Sequence, residues 1–350
     1  MSSFKNDYGV MAHRRVIEAL LKYEDEVNIP YGNDIHSANA ERLIKEIFKA
    51  PEAKVHFLSG GTQANATVIS YILRPYEAVI SCDTGHINVH ETGAVEGCGS
   101  KIITVNNVNG KLTKENVIKA LKLHTDEHMV KPRMLYISNS TECGSIYTKK
   151  ELYELRSVCD EYKLYLFLDG ARLGSALTSK ENDVECEDLA KTCDVFYIGG
   201  TKNGLLSGEA VVIVNKNLQE NFRYHIKNKG AMLAKGFVLG IQFEELFKDG
   251  LFFELAKHAN EMSSYIKENL QKLEVCFTID SPTNQLFAKF DKEIAKKLIE
   301  KFGCELWEKH DDHYIIRFVT SYKTTKEDCN KLIYEIKNLL KRSINLWIED

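Results

Sequence analysis

Three short stretches of the sequence place reactive or ligand-binding residue types directly after apolar runs. They are Gly60, Gly61 and Thr62 after VHFL, Asp169 at the end of LYLFLD, and Lys202 between the runs DVFYI and AVVIV. Glycines that open a helix leave backbone N–H groups for a phosphate. A buried carboxylate needs a cationic partner, and a desolvated lysine has a lowered pKa and attacks carbonyl groups.

Each stretch has a simpler structural explanation when it is taken alone. The glycines suit any tight turn, Asp169 can pair with Arg172, and most lysines reach solvent. Only one common cofactor needs a phosphate cradle, an acid for its ring nitrogen and a lysine for its aldehyde. The combination therefore predicts pyridoxal 5'-phosphate, with Asp169 on the pyridine nitrogen and Lys202 forming a Schiff base.

The segments around these residues alternate between apolar runs and helical patterns. The runs KVHFL, EAVIS, SKIITV, RMLYIS, KLYLFLD, DVFYIGG and GEAVVIVN read as strands. Helices are predicted for 36–50, capped by Ser37, and for segments that begin at Thr113 and at Thr148, where Glu151 completes a capping box. The pattern predicts an α/β fold with a mainly parallel seven-stranded sheet that helices cover on both faces. Ligands of such sheets bind beyond the carboxyl ends of the strands.

The composition changes near residue 245, after which long charged helices alternate with the short runs NQLFAKF, CELWEKH and YIIRFVTSY. This change predicts three parts: an N-terminal arm (1–20), a large cofactor-binding α/β domain (21–244) and a smaller α+β domain (245–350). We expect the arm to pack with the small domain.

The overall composition excludes several classes of protein. The 350 residues carry a net charge of −4, with no long basic run, so we expect no nucleic-acid partner. No apolar run approaches the length of a membrane span, and the polar N-terminal residues do not resemble a signal peptide. The nine scattered cysteines indicate reduced thiols and a cytoplasmic protein.

The stretch GHINVHETG, residues 85–93, offers two histidines and an acid. A metal site would need His86 and His90 on one helix with a third ligand, and the glycines and β-branched residues argue against a regular helix. His86 stacked on the cofactor ring is the favoured interpretation, and His90 is expected to be a buried structural residue.

Together these motifs resemble the threonine aldolase and β-eliminating lyase family of pyridoxal-phosphate enzymes, which has the aspartate-aminotransferase type of fold (fold type I). The resemblance rests on FKNDY, YGND, SGGTQAN, GHINVHETGA, LDGARLG, GGTKNG, KGAMLAKG and IIRFVTS. It implies cofactor contacts from Gly60, Gly61, Thr62, His86, Asp169, Arg172, Thr201 and Lys202. It implies substrate contacts from Asn6, Arg172 and Arg317, the two arginines gripping an α-carboxylate; an inter-strand ion pair is the alternative for Arg317. A homodimer or a tetramer of two dimers, with shared active sites, is also implied.

The resemblance predicts cleavage of L-threonine or L-allo-threonine to glycine and acetaldehyde, with Lys202, His86 and Asp169 as catalytic residues. His86 is the expected base for the substrate hydroxyl. The family usually has a second histidine in a segment that here reads ISNSTECG, and Thr141 stands at its place. Alternatives remain open: β-elimination, transamination or racemisation of an amino acid, a non-catalytic protein of this fold, and a metal hydrolase using His86, His90 and Glu91.

Overall fold

The computed structural model describes residues 3–348, and the side chains of residues 3–341. The large sheet has seven strands in the order β1-β7-β6-β5-β4-β2-β3. They are β1 (Lys54–Leu58), β2 (Glu77–Cys82), β3 (Lys101–Val105), β4 (Lys131–Ser138), β5 (Tyr165–Asp169), β6 (Val195–Gly199) and β7 (Glu209–Ile213). All seven predicted strands are confirmed, and β7 alone runs antiparallel to both of its neighbours.

The pairing register brings the predicted site residues to one edge of this sheet. Leu58 at the end of β1 and Gly199 at the end of β6 both lie opposite Glu209, the first residue of β7. On the other side, Ser138 at the end of β4 lies opposite Asp169. The segments that follow β1, β4, β5 and β6 therefore leave the sheet at the same edge, as the parallel fold requires.

Helices connect the strands and cover both faces of the sheet. In chain order they are α1 (Arg14–Lys22), α2 (Ile35–Ile47), α3 (Gly61–Ile72), α4 (His86–Val89), α5 (Ala94–Gly97), α6 (Lys114–Lys122), α7 (Lys149–Tyr162), α8 (Leu173–Leu177), α9 (Cys186–Thr192), α10 (Phe222–Asn228), α11 (Phe237–Phe247), α12 (Leu251–Gln271), α13 (Lys292–Phe302) and α14 (Lys326–Ile348). The capping boxes of α6 and α7 form as predicted at Thr113 and Thr148.

The predicted cap of α2 is wrong by three residues. The helix begins at Ile35, and Asp34 caps it by accepting hydrogen bonds from the amide of Ser37 (2.8 Å) and from its hydroxyl (2.8 Å). An aspartate can fill this role as well as a serine, and Ser37 is its partner instead.

The smaller sheet is antiparallel, with the order β10-β11-β9-β8. Its strands are β8 (Phe277–Ile279), β9 (Gln285–Asp291), β10 (Glu305–Lys309) and β11 (His313–Val319). β8 was not anticipated. Helices α12, α13 and α14 pack around this sheet, and Phe4 of the N-terminal segment joins its core, with backbone bonds to Phe302 and Val319.

Apolar side chains fill both faces of the large sheet and one face of the small one. All nine cysteines are free thiols. Within residues 3–348, none of the helices combines the length and the apolar character that crossing a membrane requires.

Candidate active site

Lys202 lies in the turn between β6 and β7. Gly204 (φ +98°) and Gly208 (φ +130°) adopt backbone conformations there that favour glycine, and they let the turn bring the lysine back over the strand ends. Among the side chains of residues 3–341, none forms a hydrogen bond or an ion pair with its ammonium, and the ring of Tyr8 lies 5.9 Å away. Burial and the charge of Arg172 lower the pKa of Lys202, which favours the nucleophilic amine.

Asp169 is the last residue of β5 and is 3% exposed. Its Oδ1 accepts from the amide of Ala171 (2.9 Å), and its Oδ2 accepts from Tyr136 Oη (2.5 Å) and Asn65 Nδ2 (3.1 Å). Burial raises the pKa of this carboxyl, but the nearby His86 and the hydroxyl donors outweigh burial and lower it. The carboxylate is therefore ionised and fixed, as a partner for a ring cation must be.

His86 begins the one-turn helix α4. Its Nδ1 lies 2.8 Å from Oε1 of Glu91, an acid whose side chain is fully enclosed, and the same oxygen accepts from Asn65 Nδ2 (2.7 Å). Burial lowers the pKa of His86, but Glu91 and Asp169 raise it above the ordinary value. The imidazole therefore tends to hold its proton in a chain of polar groups that runs to Asp169.

Gly60 and Gly61 lie where β1 passes into α3. Among the side chains that the structure describes, none caps this helix, and a Cβ atom added to Gly60 would meet nothing within 4 Å. The free first-turn amides, which include that of Thr62, suit an anion at the helix N-terminus. Thr201 lies near the same strand ends, where its hydroxyl accepts from the amide of Gly208 (3.0 Å).

Arg172 follows β5 and forms a two-point ion pair with Asp7. Its Nε and Nη2 donate to the two carboxylate oxygens at 2.7 and 3.0 Å, and Asn284 Nδ2 donates to the same acid at 2.9 Å. Asp7 therefore ties the N-terminal segment to the segment after β5 and to the one that precedes β9. Asn6, the residue predicted to face the substrate, accepts from the amide of Tyr8 (3.2 Å), and its contact with a substrate stays a prediction.

Arg317 on β11 forms an ion pair with Glu305 on the neighbouring strand β10. Its Nη1 also donates to Gln285 Oε1 (3.1 Å), and its guanidinium lies 5.0 Å from the ring of Trp307. The inter-strand pair that was the alternative interpretation is therefore present. Nε of Arg317 is buried without a partner among the described residues.

Sequence reasoning missed several residues of this cluster. Asp7, Asn65 and Tyr136 hold predicted site residues in place but were not named as site residues, and Glu91 was named only as a possible metal ligand. Asn65 lies on the buried side of α3 beside Ala64 and Val68, and a buried amide needs partners.

The metal alternative receives no geometric support. His90 is exposed, which corrects the expectation of a buried histidine, and its ring centroid lies 5.4 Å from that of His86. Over the part of the chain that the structure describes, no three His, Cys, Asp or Glu side chains are grouped as metal ligands.

Comparison with known proteins shows which family and which solved structures this chain resembles. A family model described as "Beta-eliminating lyase" matches residues 10–293. A low specificity L-threonine aldolase from a Pseudomonas species is 31% identical over 280 residues, which cover 77% of this chain and 79% of that protein. A threonine aldolase structure from Leishmania major is 44% identical with a TM-score of 0.95, covering 97% of this chain and 99% of the other. An aspartate aminotransferase from Thermus thermophilus, 16% identical, has a TM-score of 0.70 over 96% of this chain and 90% of the other and shows the fold alone.

The fold and the site thus define a pyridoxal-phosphate enzyme of the aspartate-aminotransferase type. The residues present fit this cofactor: the N-terminus of α3 suits its phosphate, the ionised buried Asp169 suits its ring nitrogen, and Lys202, with which no side chain of residues 3–341 pairs, suits its aldehyde. Within that class the chain belongs to the beta-eliminating lyase family.

Proposed function

We propose that this chain is an aldehyde-lyase of the threonine aldolase type, which cleaves L-threonine and L-allo-threonine to glycine and acetaldehyde. The relatives that carry this activity in their names match the chain across most of their length. The observation that carries the proposal is the meeting of Lys202, Asp169 and the open N-terminus of α3 at one edge of the sheet.

Bound pyridoxal phosphate would act as an electron sink for a bond broken at the substrate Cα. The residues of the chain would bind the cofactor, attach it and set its protonation. The α3 amides at Gly60, Gly61 and Thr62 would hold the phosphate, Asp169 would keep the ring nitrogen protonated, and Lys202 would attach the cofactor.

The remaining site residues would position the substrate. Arg172 and Arg317 can present guanidinium groups to its α-carboxylate, in the planar geometry that suits two-point binding. His86, kept in place by Glu91, can stack on the cofactor and donate a proton. The expected selectivity for bond cleavage follows because a fixed carboxylate leaves the Cα–Cβ bond in one orientation.

The test is aldehyde release from L-threonine and from L-allo-threonine by the cofactor-loaded protein. Wild type and the matched variant Lys150→Ala, whose lysine is 84% exposed, should form acetaldehyde and glycine in equal amounts. Lys202→Ala should lose both the products and the visible absorption of the attached cofactor. Ammonia with a keto acid, or the D-amino acid, would replace this proposal with elimination, transamination or racemisation.

We also propose a cytoplasmic homodimer, or a tetramer of two dimers, that shares its active sites. Support comes from apolar side chains left exposed on one segment, with Val27 98%, Ile29 63% and Ile35 59% exposed, since such groups mark interfaces. Light scattering after size exclusion tests the assembly: a monomer that cleaves threonine would contradict it.

A further inference from the structure

A retro-aldol cleavage needs a group that takes the proton of the substrate β-hydroxyl. Carboxylates and histidines are the usual choices, and the group must have a free lone pair within reach of the site. Five acids lie near Lys202 and the strand ends: Asp7, Glu91, Glu142, Asp169 and Glu209. Their hydrogen bonds separate them.

Three of these acids are unsuited to the role by their contacts or by their burial. Both oxygens of Asp169 accept hydrogen bonds, and Asp7 is held by Arg172 and Asn284. Glu91 bonds His86 and Asn65 through Oε1; its Oε2 has no partner among the described residues, but the side chain has no exposed surface. Asp169 and Asp7 would each have to give up a partner before accepting a proton, and a substrate hydroxyl would not reach Glu91.

Glu209, the fourth acid, is in the wrong protonation state for a base. It is 4% exposed at the start of β7, and its Oε2 accepts from the amide of Gly200 (3.2 Å). Burial raises the pKa of Glu209 to about 8, so this carboxyl carries its proton at neutral pH.

Glu142 lies in the turn after β4, and its side chain folds back to the site. Its Oε1 accepts from Ser138 Oγ (2.7 Å) and from the amide of His86 (3.1 Å). Its Oε2 accepts no hydrogen bond from the described residues, although Glu142 is only 9% exposed. The neighbouring Thr141 is 1% exposed and turns away, with its hydroxyl 2.8 Å from Ser145 Oγ.

The charges that face Glu142 come from three elements: His86 on α4, Asp169 on β5 and Arg172 after β5, with the thiol of Cys82 on β2 also close. Burial and the charge of Asp169 raise the pKa of Glu142. The pKa of His86 is raised as well. A raised pKa makes a carboxylate a stronger base, whereas a raised pKa makes a histidine keep its proton.

We propose that Glu142, and not His86, is the general base that removes the β-hydroxyl proton. The inference rests on the proposed aldolase function. The hydroxyl proton passes to Oε2 of Glu142 and a C=O double bond forms at Cβ. The Cα–Cβ bond breaks with its electron pair left on the Cα side, and acetaldehyde leaves. A proton then returns to Cα, which gives glycine, and Glu142 releases its proton to solvent.

A purely structural role is the alternative, because Glu142 also holds the first amide of α4. Glu142→Gln separates the two roles: the amide oxygen can still accept from Ser138 and His86, but the side chain no longer accepts a proton near neutral pH. The matched control is Glu96→Gln, an exposed glutamate on α5.

Two reactions of the cofactor-loaded protein should be measured in parallel: aldehyde release from L-threonine, and exchange of the glycine α-hydrogen with D₂O followed by NMR. Exchange needs the cofactor but no β-hydroxyl. For Glu142→Gln we expect aldehyde release to fall about 10²- to 10⁴-fold, with exchange retained and the acid limb of the kcat/KM profile lost. Infrared spectra of the cofactor-free proteins should show a carboxyl band in wild type, titrating above the ordinary range of a glutamate, that the variant lacks.

Each other outcome overturns the proposal. Full aldehyde release by Glu142→Gln would remove Glu142 as the base while the aldolase function stands. Loss of both reactions would assign Glu142 to holding α4 or the cofactor. Absence of aldehyde from wild type that still exchanges glycine would refute the proposed function itself, and the assignment of the base with it.

Discussion

The ion pair between Asp7 and Arg172 allows the strongest single prediction about the free energy of unfolding. The side chain of Asp7 is 1% exposed and that of Arg172 is 11% exposed, with two hydrogen bonds between them. Removing one partner of such a pair leaves a buried charge without compensation, which costs about 3–5 kcal/mol. Asp7→Ala should therefore lower the free energy of unfolding by about that amount.

The assay is urea unfolding of the cofactor-free protein at neutral pH. The matched control is Glu18→Gln, which breaks the pair with Arg14, where the side chains are 88% (Arg14) and 54% (Glu18) exposed. That change should cost less than about 0.5 kcal/mol. Added salt should reduce the small loss of unfolding free energy caused by Glu18→Gln. It should leave the large loss caused by Asp7→Ala almost unchanged, because buried pairs are screened little.

The pH dependence of the pair has a definite sign. Burial alone would raise the pKa of Asp7, but the charges of Arg172 and Lys202 and the hydrogen bonds outweigh it and lower the pKa. The pair therefore contributes stability above the unfolded-state pKa of about 4, and this contribution disappears as the pH falls through the lower folded-state value. As the pH falls below about 4, the free energy of unfolding should therefore decrease less for Asp7→Ala than for wild type. A cost no larger than that of Glu18→Gln would refute the reasoning.

Three further predictions concern other parts of the chain. Glu305→Gln should lower the KM for L-threonine by up to about five-fold, since it releases Arg317 from a pair worth up to about 1 kcal/mol; steady-state kinetics with an unchanged or higher KM would contradict this. Burial lowers the pKa of His56 to about 4, so wild type should lose stability as the pH falls from about 6.5 to 4, and His56→Phe should abolish that part of the loss in pH-dependent urea unfolding. Thr148→Ala should cost about 1 kcal/mol by the same assay at neutral pH, because it removes the cap of α7; a neutral result would mean that Glu151 caps the helix alone.

Local patterns were enough to find the strands and the positions of Lys202 and Asp169. Near-continuous apolar runs, each followed by a polar residue or glycine, depend only on neighbouring residues. The edge at which these residues meet follows from parallel pairing, so the cofactor site was predictable in outline.

The partners of the site residues were not predictable in this way. Asp7 contacts Arg172 across 165 positions of the chain, and Asn65 contacts Asp169 across 104. Such contacts depend on how whole elements pack, and a local pattern contains no information about that. The same limit explains why the ion pair of Arg317 could be named only as an alternative, since Glu305 becomes its neighbour through the register of β10 and β11.

The charges around the site suggest how a substrate carboxylate would enter it. Both guanidinium groups that could bind it already face protein carboxylates, so the substrate must compete with one of them. Asp7 is 1% exposed and is also held by Asn284, whereas Glu305 is 37% exposed on an edge strand. A displaced Glu305 carboxylate returns to water at little cost, whereas a displaced Asp7 carboxylate would remain buried without a cationic partner. On the proposed function, Arg317 is therefore the group that exchanges one carboxylate for another, and Arg172 remains a fixed cation beside Lys202.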